Sequence, residues 1–182
     1  MQRGDIPLEL YREMHIQWRC KHENMVTLHS VVKNDKKCSW FLIMEFIHWD
    51  MYCFLHSLST ASSASEVRSL MRDLVTDLGY LHSKHIMHRD LKPSNLFLTD
   101  DGALKISDFG LALEEINENT PSEERFLSPK AFTRWYRPPE YLTRVNDNYN
   151  CSVDIWSVGC ILAEFISRKV LFRGENETHP ST

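Results

Sequence analysis

The chain has 182 residues, which is enough for one ordinary domain. Hydrophobic residues make up 42% and charged residues 25%, so the composition is globular and excludes wholesale disorder. The formal net charge of -4 excludes a broadly basic surface for nucleic acid or anionic lipid. The first ten residues lack the apolar core of a signal peptide, and no long apolar run occurs. We therefore expect no nucleic-acid partner and no membrane partner.

The cysteines indicate the compartment. There are five of them, an odd number, and no two form a C-x-x-C pair. This pattern argues against a disulfide framework or a zinc cluster and is typical of reduced thiols inside a cell. The sequence therefore predicts an intracellular protein, in the cytoplasm, the nucleus or both.

The first predicted element is a helix from about Ile6 to Arg19. Pro7 suits a first helical turn, where a missing N–H group costs little. Leu10, Met14 and Trp18 repeat every four residues, and this spacing predicts one apolar stripe that faces a core.

Two β-rich runs follow the helix, at Met25–Val32 and Trp40–Ile47. The polar turn at 34–37 separates them, so they are predicted to form a hairpin. Two short strands further along, Leu96–Leu98 and Ala103–Ile106, are joined by a D-D-G turn and predict a second hairpin.

Between the hairpins lies the strongest helix signal. Ser63 and Glu66 have capping-box spacing, and they precede a predicted helix over Glu66–Ser83. Residues 114–124 hold five glutamates and no Lys or Arg, which predicts an acidic loop. A last helix, about Ser152–Arg168, is apolar nearly all round and is therefore expected to be buried. The segregated helices and hairpins predict an α+β fold. The apolar face of the strong helix comprises Val67, Leu70, Met71, Leu74, Val75, Leu78 and Leu81.

Three motifs carry the chemistry. Residues 88–95 read H-R-D-L-K-P-S-N, residues 108–110 read D-F-G, and residues 138–140 read P-P-E. A lone D-F-G would be a weak signal, but three blocks in this order, between these helices and strands, resemble the eukaryotic protein kinases. The resemblance implies a bilobal kinase-like fold. In it, residues 1–46 form a partial N-lobe with helix C and two strands, 47–50 the hinge, and 51–182 the upper part of a helical C-lobe, with the activation segment at 108–140.

The resemblance also implies roles for the motif residues. Asp90 would accept the proton of the substrate hydroxyl, and Lys92 would bridge towards the transferred phosphate of ATP. Asn95 and Asp108 would supply the oxygen ligands that magnesium prefers. The alternative for each single residue is an ordinary turn or cap, because Asp and Asn favour such positions. ATP and Mg are the implied cofactors.

Two residues resemble the serine/threonine kinases in particular. Lys92 lies two residues after the catalytic aspartate, as it does in those kinases. Thr133 stands where they use a threonine hydroxyl to tie the activation segment to Asp90 and Lys92.

Residues 133–140 read T-R-W-Y-R-P-P-E, which looks like the CMGC group of cyclin-dependent and MAP kinases. In that group the arginine at Arg137 implies a preference for Ser/Thr-Pro in the protein substrate. The alternative is that Trp135 and Tyr136 are simply core aromatics with a polar tip.

The strand that ends near Met44 resembles the strand before a kinase hinge. By that resemblance Glu45 and Ile47 would bind adenine through their backbone groups. Asp50 would contact the ribose, and Phe97 would form the floor of the adenine pocket.

The first helix, from Pro7 to Glu13, is similar in layout to the P-S-T-A-I-R-E helix of cyclin-dependent kinases. Glu13 would then pair with an ATP-anchoring lysine, and the helix face would bind a cyclin-like activator. The alternative is an ordinary amphipathic helix.

Further regulatory and structural residues follow from the resemblance. Ser128 lies where related kinases carry an activating phosphate, which would seek Arg12 and Arg89. Glu140 would pair with an arginine beyond this chain. Asp154 would accept backbone N–H groups of the H-R-D loop, because a buried carboxylate needs donors.

The sequence also departs from the family. It contains no glycine-rich phosphate loop and no V-A-I-K-like lysine before the first helix, and it ends before the later helices of the C-lobe. We therefore expect a kinase domain that is truncated at both ends. Gln17 also replaces an apolar side chain that should stack on the D-F-G phenylalanine. These departures leave open a catalytically inactive module that binds a cyclin-like or kinase partner.

Overall fold

The computed structural model describes residues 6–34, 36, 39–57, 62–114, 133–143 and 150–174. In chain order these contain the helices α1 (Leu8–Arg19), α2 (Met51–Ser57), α3 (Ala64–Ser83), α4 (Pro139–Thr143) and α5 (Ser152–Ser167). The strands are β1 (Leu28–Asn34), β2 (Ser39–Met44), β3 (Trp49–Asp50), β4 (Ile86–Met87), β5 (Leu96–Leu98), β6 (Leu104–Ile106) and β7 (Leu113–Glu114).

The strands form three small antiparallel sheets. The first is the β1–β2 hairpin, the second has the order β3-β5-β6, and the third pairs β4 with β7. Both predicted hairpins are present, and the α+β fold class is confirmed. The first hairpin starts later than predicted, because Met25 lies outside it and forms a parallel bridge to Ile106. This bridge joins the loop after α1 to the second sheet.

Helix α1 differs from the prediction at its start and along its buried face. It begins at Leu8, with Pro7 as the preceding cap residue. Trp18 is 58% exposed, so the stripe predicted at every fourth residue does not face the core as a whole. A four-residue step turns about 40° further than one full turn, so the stripe drifts around the helix. The side chains that α1 buries are Glu13, Met14, Ile16 and Gln17.

Helix α3 begins at the predicted capping box. The Ser63 hydroxyl accepts a 3.2 Å hydrogen bond from the Glu66 N–H, and the Glu66 carboxylate accepts a 2.6 Å bond from the Ser63 N–H. The predicted apolar face is largely buried, but Val75 is exposed and Asp77 is buried in its place. The main hydrophobic core therefore includes Val67, Leu70, Leu74, Leu78 and Leu81, together with side chains of α2, α5, β5 and β6.

Helix α5 corrects the expectation of burial all round. Val153, Ile161 and Phe165 are buried, whereas Ile155 and Ile166 are more than half exposed. Among the described residues, α5 packs mainly against α3 and the 134–136 turn. Its other side presents apolar residues to solvent among the described residues. No helix in the described ranges is long and apolar enough to cross a membrane.

Candidate active site

The carboxylate of Asp90, which follows β4, accepts hydrogen bonds from three other side chains. Its Oδ1 accepts the backbone N–H of Thr133 at 2.8 Å and the Thr133 hydroxyl at 2.6 Å. Its Oδ2 accepts Lys92 Nζ at 2.6 Å and Asn95 Nδ2 at 3.3 Å. Lys92 Nζ also donates to Thr133 Oγ1 at 3.1 Å, which closes a ring of three side chains. This ring fixes a carboxylate and an ammonium group side by side.

Asp154, near the start of α5, anchors the loop that carries Asp90 through hydrogen bonds. The Asp154 carboxylate accepts the backbone N–H groups of His88 and Arg89, each at 2.8 Å, and His82 Nε2 at 2.9 Å. Arg89 has φ of 63°, a left-handed conformation that a non-glycine residue rarely adopts. Because Asp154 is fully buried, these three donors offset its desolvation and stabilise the strained turn.

His88 connects the Asp90 loop to the D-F-G segment. Its Nε2 donates to the Ser107 carbonyl at 2.9 Å, and its Nδ1 accepts the Asp90 N–H at 3.2 Å. The His88 ring also lies 5.1 Å from the Phe109 ring, which is fully buried. One imidazole therefore fixes the distance between the two motifs.

Asn95 and Asp108 have the oxygen chemistry that a magnesium ion requires. Asn95 Nδ2 donates to the Asp90 carbonyl at 2.9 Å, so its Oδ1 is the atom that can face a cation. Asp108 is exposed and has φ of 65°. Ser107 N donates to the Asn95 carbonyl at 3.0 Å, which places the residue before Asp108 directly beside Asn95. One amide oxygen and one carboxylate suit magnesium, which keeps several waters.

The segment after β2 is fixed at Glu45. Glu45 N donates to the Thr27 carbonyl at 2.9 Å, and Lys105 Nζ donates to Glu45 Oε1 at 2.6 Å. Burial alone would raise the pKa of Glu45, but the bonds from Lys105 and Thr27 and the Lys105 charge lower it overall. Ile47 is half-buried between β2 and β3.

Asp50 and Phe97 are brought together by the second sheet. They are cross-strand partners of β3 and β5, and Phe97 is also the partner of Lys105 in β6. Asp50 Oδ1 accepts the Cys53 N–H at 2.8 Å, so this carboxylate binds the first turn of α2. Asp50 therefore has a structural contact in addition to the ligand contact predicted from the sequence.

Glu13 and Gln17 form a buried polar pair on α1. Glu13 is 3% exposed and Gln17 is 6% exposed, and Gln17 Nε2 donates to Glu13 Oε1 at 2.8 Å. Burial raises the pKa of Glu13 to about 7, against the bonds from Gln17 and from the backbone of Phe109 and Gly110. Gln17 thus has the partner that a polar side chain at this position requires.

A cleft of about 350 Å³ opens beside this pair. It lies between α1, β2 and the D-F-G segment, and Asp108 is at its wall. Three carboxylates and three larger apolar side chains face it, so it is a concave site with few but charged polar groups. Its lining comprises Glu9, Leu10, Glu13, Leu42, Met44, Ser107, Asp108 and Gly110.

Arg12 and Arg89, the arginines predicted to bind a phosphate on Ser128, lie in different surroundings. Arg89 is fully buried, and its Nε donates to the Leu111 carbonyl at 2.7 Å, whereas Arg12 is half-buried on α1. Arg137 lies with its guanidinium 5.3 Å from the centre of the Tyr141 ring. Glu140 is exposed in the first turn of α4. Ser128 and most of the acidic loop lie outside the described residues.

Two contacts of the site were missed by the sequence prediction. One is the bond from Gln17 to Glu13, and the other is the link from His88 to Ser107. The four-residue spacing of Gln17 and Glu13 was a usable signal, because such pairs face each other on a helix. No local signal exists for the His88 contact, which depends on the path of the chain between β4 and β6.

Nearly the whole chain matches a known family. Residues 2–182 match the family model described as protein kinase domain. The chain therefore belongs to the protein kinase domain family, and the resemblance drawn from the motifs is confirmed.

Among curated proteins the chain is similar to cyclin-dependent kinases. It is 39% identical over 176 residues to cyclin-dependent kinase 11 of Dictyostelium discoideum, covering 97% of this chain and 48% of that protein. It is 41% identical over 174 residues to cyclin-dependent kinase G1 of Arabidopsis thaliana (94% and 27%). It is 38% identical over 178 residues to cyclin-dependent kinase 10 of Mus musculus (98% and 48%). The chain thus spans about half the length of these relatives, or less.

Proposed function

We propose that the chain carries the phosphoryl-transfer site of a serine/threonine protein kinase of the cyclin-dependent type. The observation that carries the proposal is the ring of Asp90, Lys92 and Thr133, with Asn95 bonded to the same carboxylate. Such a ring presents a proton acceptor and a cation at one point, which is the arrangement that hydroxyl phosphorylation needs.

In this proposal Asp90 accepts the proton of the substrate Ser or Thr hydroxyl. Thr133 and Asn95 hold its carboxylate in place, and the Lys92 ammonium stabilises negative charge that develops beside it. Asn95 and Asp108 would hold a magnesium ion, which supplies charge neutralisation on the phosphates when bound. The backbone at Glu45 and Ile47, with Asp50 and Phe97, would bind the adenosine part of ATP.

The substrate class follows from the 133–140 segment. Arg137 lies directly after the 134–136 turn, with its guanidinium near the Tyr141 ring. We propose that this segment accepts proline after the phosphorylated residue, as its resemblance to the CMGC group implies. Kinetics on matched Ser-Pro and Ser-Ala peptides test this, and equal kcat/KM for the two peptides would contradict it.

A protein partner is proposed for the outer face of α1. Leu8 is 56% and Trp18 is 58% exposed there, and the Tyr11 and His15 rings stack between them with centroids 6.0 Å apart. Apolar and aromatic side chains that project from one helix are typical of a docking surface. The proposed occupant is a cyclin-like activator, whose binding Trp18→Ala should weaken.

Binding of ATP tests the proposed function directly. We expect magnesium to strengthen ATP binding by this chain in calorimetry. Asp108→Asn should remove most of that magnesium effect, because it removes one of two proposed ligands. The matched control is Asp101→Asn, which changes an exposed turn carboxylate outside the cleft.

The second candidate function is a non-catalytic binding module. It is favoured by the Gln17–Glu13 pair, in which a polar amide occupies a buried position of α1. Absence of ATP binding at millimolar concentrations, with α1-dependent binding of a cyclin-like protein, would support this candidate against the enzyme.

A further inference from the structure

Lys105 on β6 forms an ion pair with Glu45, the residue that directly follows β2. Lys105 Nζ donates to Glu45 Oε1 at 2.6 Å, and the two side chains are only 18% and 21% exposed. Salt and water screen such a pair less than a surface pair, and loss of either partner leaves the other charge without compensation. We therefore expect this contact to hold its two segments together, which an exposed ion pair does only weakly.

The backbone provides a second link between the same two segments. Glu45 N donates to the Thr27 carbonyl at 2.9 Å, and Val26 N donates to the Ile106 carbonyl at 3.0 Å. These two bonds connect Glu45 to β6 through the backbone, whereas Lys105 connects them directly. Thr27 thus fixes the N–H group of Glu45 and Lys105 fixes its side chain. Together the two contacts determine where the backbone after β2 lies.

Lys105 also belongs to a row of three cross-strand partners in the second sheet. Phe97 of β5 is the partner of Asp50 in β3 and of Lys105 in β6. Directly opposed residues of antiparallel strands project from the same face of a sheet. The strand neighbours Leu104 and Ile106 are fully buried in the core, so the row lies on the opposite face of β6. Lys105 is therefore at one end of this row and Asp50 is at the other.

These contacts connect Lys105 to the three residues proposed to bind adenosine, which are Glu45, Asp50 and Phe97. We propose that Lys105 is a positioning residue for that adenosine site. Its ammonium group holds Glu45, and with it the backbone that follows β2, on the side of the sheet where Phe97 projects. Lys105 does not contact the ligand and acts through Glu45. Its part in adenosine binding rests on the proposed function, whereas its effect on the backbone at Glu45 does not.

Hydrogen exchange of the Glu45 amide, measured by NMR on the whole chain, tests the effect on the backbone. Lys105→Met keeps most of the length of the side chain and removes the charge. The Glu45 amide should then exchange about tenfold faster or more, because the ion pair no longer holds this residue against Thr27. Lys105→Arg retains a donor for Glu45 and should retain most of the protection. Glu45→Gln weakens the pair from the other side and replaces the Met variant if that variant does not fold.

Two comparisons separate this effect from a general loss of stability. Lys21→Met removes an exposed lysine just after α1 and should leave the exchange of the Glu45 amide unchanged. Core amides of α3, such as that of Leu74, should exchange at the wild-type rate in Lys105→Met. Unchanged exchange at Glu45 in Lys105→Met would overturn the proposal. Equal acceleration at Leu74 would also overturn it, because the effect would then be global.

Calorimetry with adenosine distinguishes this inference from the proposed function. Adenosine carries no phosphate, so Asp108 and a magnesium ion do not contribute to its binding. If the wild-type chain binds adenosine, Lys105→Met should raise the Kd about tenfold or more, and Lys105→Arg should restore most of the affinity. An unchanged Kd in Lys105→Met would overturn the positioning role alone. Selective exchange at Glu45 without any adenosine binding by the wild-type chain would support the backbone effect and contradict the adenosine site of the proposed function.

Discussion

The Asn24 side-chain amide donates a 2.6 Å hydrogen bond to Asp77 Oδ1, 53 residues further along the chain. The bond ties the loop after α1 to the middle of α3. Asp77 is fully buried, and its Oδ2 has no hydrogen-bond partner among the described residues. Burial raises the pKa of Asp77 to about 7. The bond from Asn24 lowers this pKa, and the negative charges of Asp73 and Glu23 raise it further.

This pKa makes stability depend on pH. The folded chain retains a proton on Asp77 between pH 3.8 and about 7, whereas the unfolded chain loses it near 3.8. The free energy of unfolding therefore falls across this range as pH rises, by on the order of 4 kcal/mol, and levels off above it. Asp77→Asn keeps an acceptor for Asn24 and should remove that dependence. Thermal melts at pH 5 and pH 8 measure the difference, with exposed Asp100→Asn as the control.

Asp154→Asn should destabilise the chain by about 3 kcal/mol. The amide keeps one acceptor oxygen, but its NH2 group must face backbone N–H donors of His88 or Arg89. Urea unfolding measures the loss, and exposed Ser152→Ala near the start of the same helix is the control. A change below about 0.5 kcal/mol would show that the loop at 88–90 does not depend on this carboxylate.

Ser63→Ala should cost about 1 kcal/mol, because it removes the side-chain acceptor for the Glu66 N–H at the start of α3. The neighbouring Ser62→Ala serves as the control in the same urea titration. Equal stability of both variants would mean that the N-cap bond does not contribute measurably to folding.

Thr133 provides the test of the Asp90 ring. Thr133→Val keeps the shape of the side chain but removes the hydroxyl that donates to Asp90 and accepts from Lys92. On the proposed function, we expect kcat to fall roughly 100-fold, since a small displacement of catalytic groups has effects of this size. Thr133→Ser retains the hydroxyl and should retain most of the activity. Equal losses in the two variants would indicate packing instead of the hydroxyl.

The exposed ion pair between Arg19 and Glu114 should contribute much less to stability than the buried contacts above. Arg19 on α1 forms an ion pair with Glu114 of β7, and both side chains are nearly half exposed. Arg19→Met should therefore lower the free energy of unfolding by less than about 1 kcal/mol, and the difference should shrink in high salt. Urea titrations at low and high ionic strength measure it, with Arg72→Met on the exposed side of α3 as the control.

Much of the fold was predictable because its signals are local. The capping box before α3, the D-D-G turn between β5 and β6, and the three motifs each lie within a few residues of one another. The predictions failed where they assigned individual helix side chains to the core or to the solvent. Trp18 and Val75 were assigned to apolar faces but are exposed, while Asp77 is buried. Periodicity gives a helix two sides, but it does not say which neighbour covers which residue.

The sequence by itself determined the protein family and the order of the principal helices and hairpins, and it supplied the residues that we propose for phosphoryl transfer. These depend on residue type and short spacing. Only the tertiary structure decided that Asp90 meets Thr133 across 43 residues and that Gln17 binds Glu13 beside the D-F-G backbone. It also decided which side chains of α5 are buried among the described residues. Such contacts follow from how the chain packs a shared core, because hydrogen bonds form wherever packing brings donors and acceptors together, at any separation in sequence.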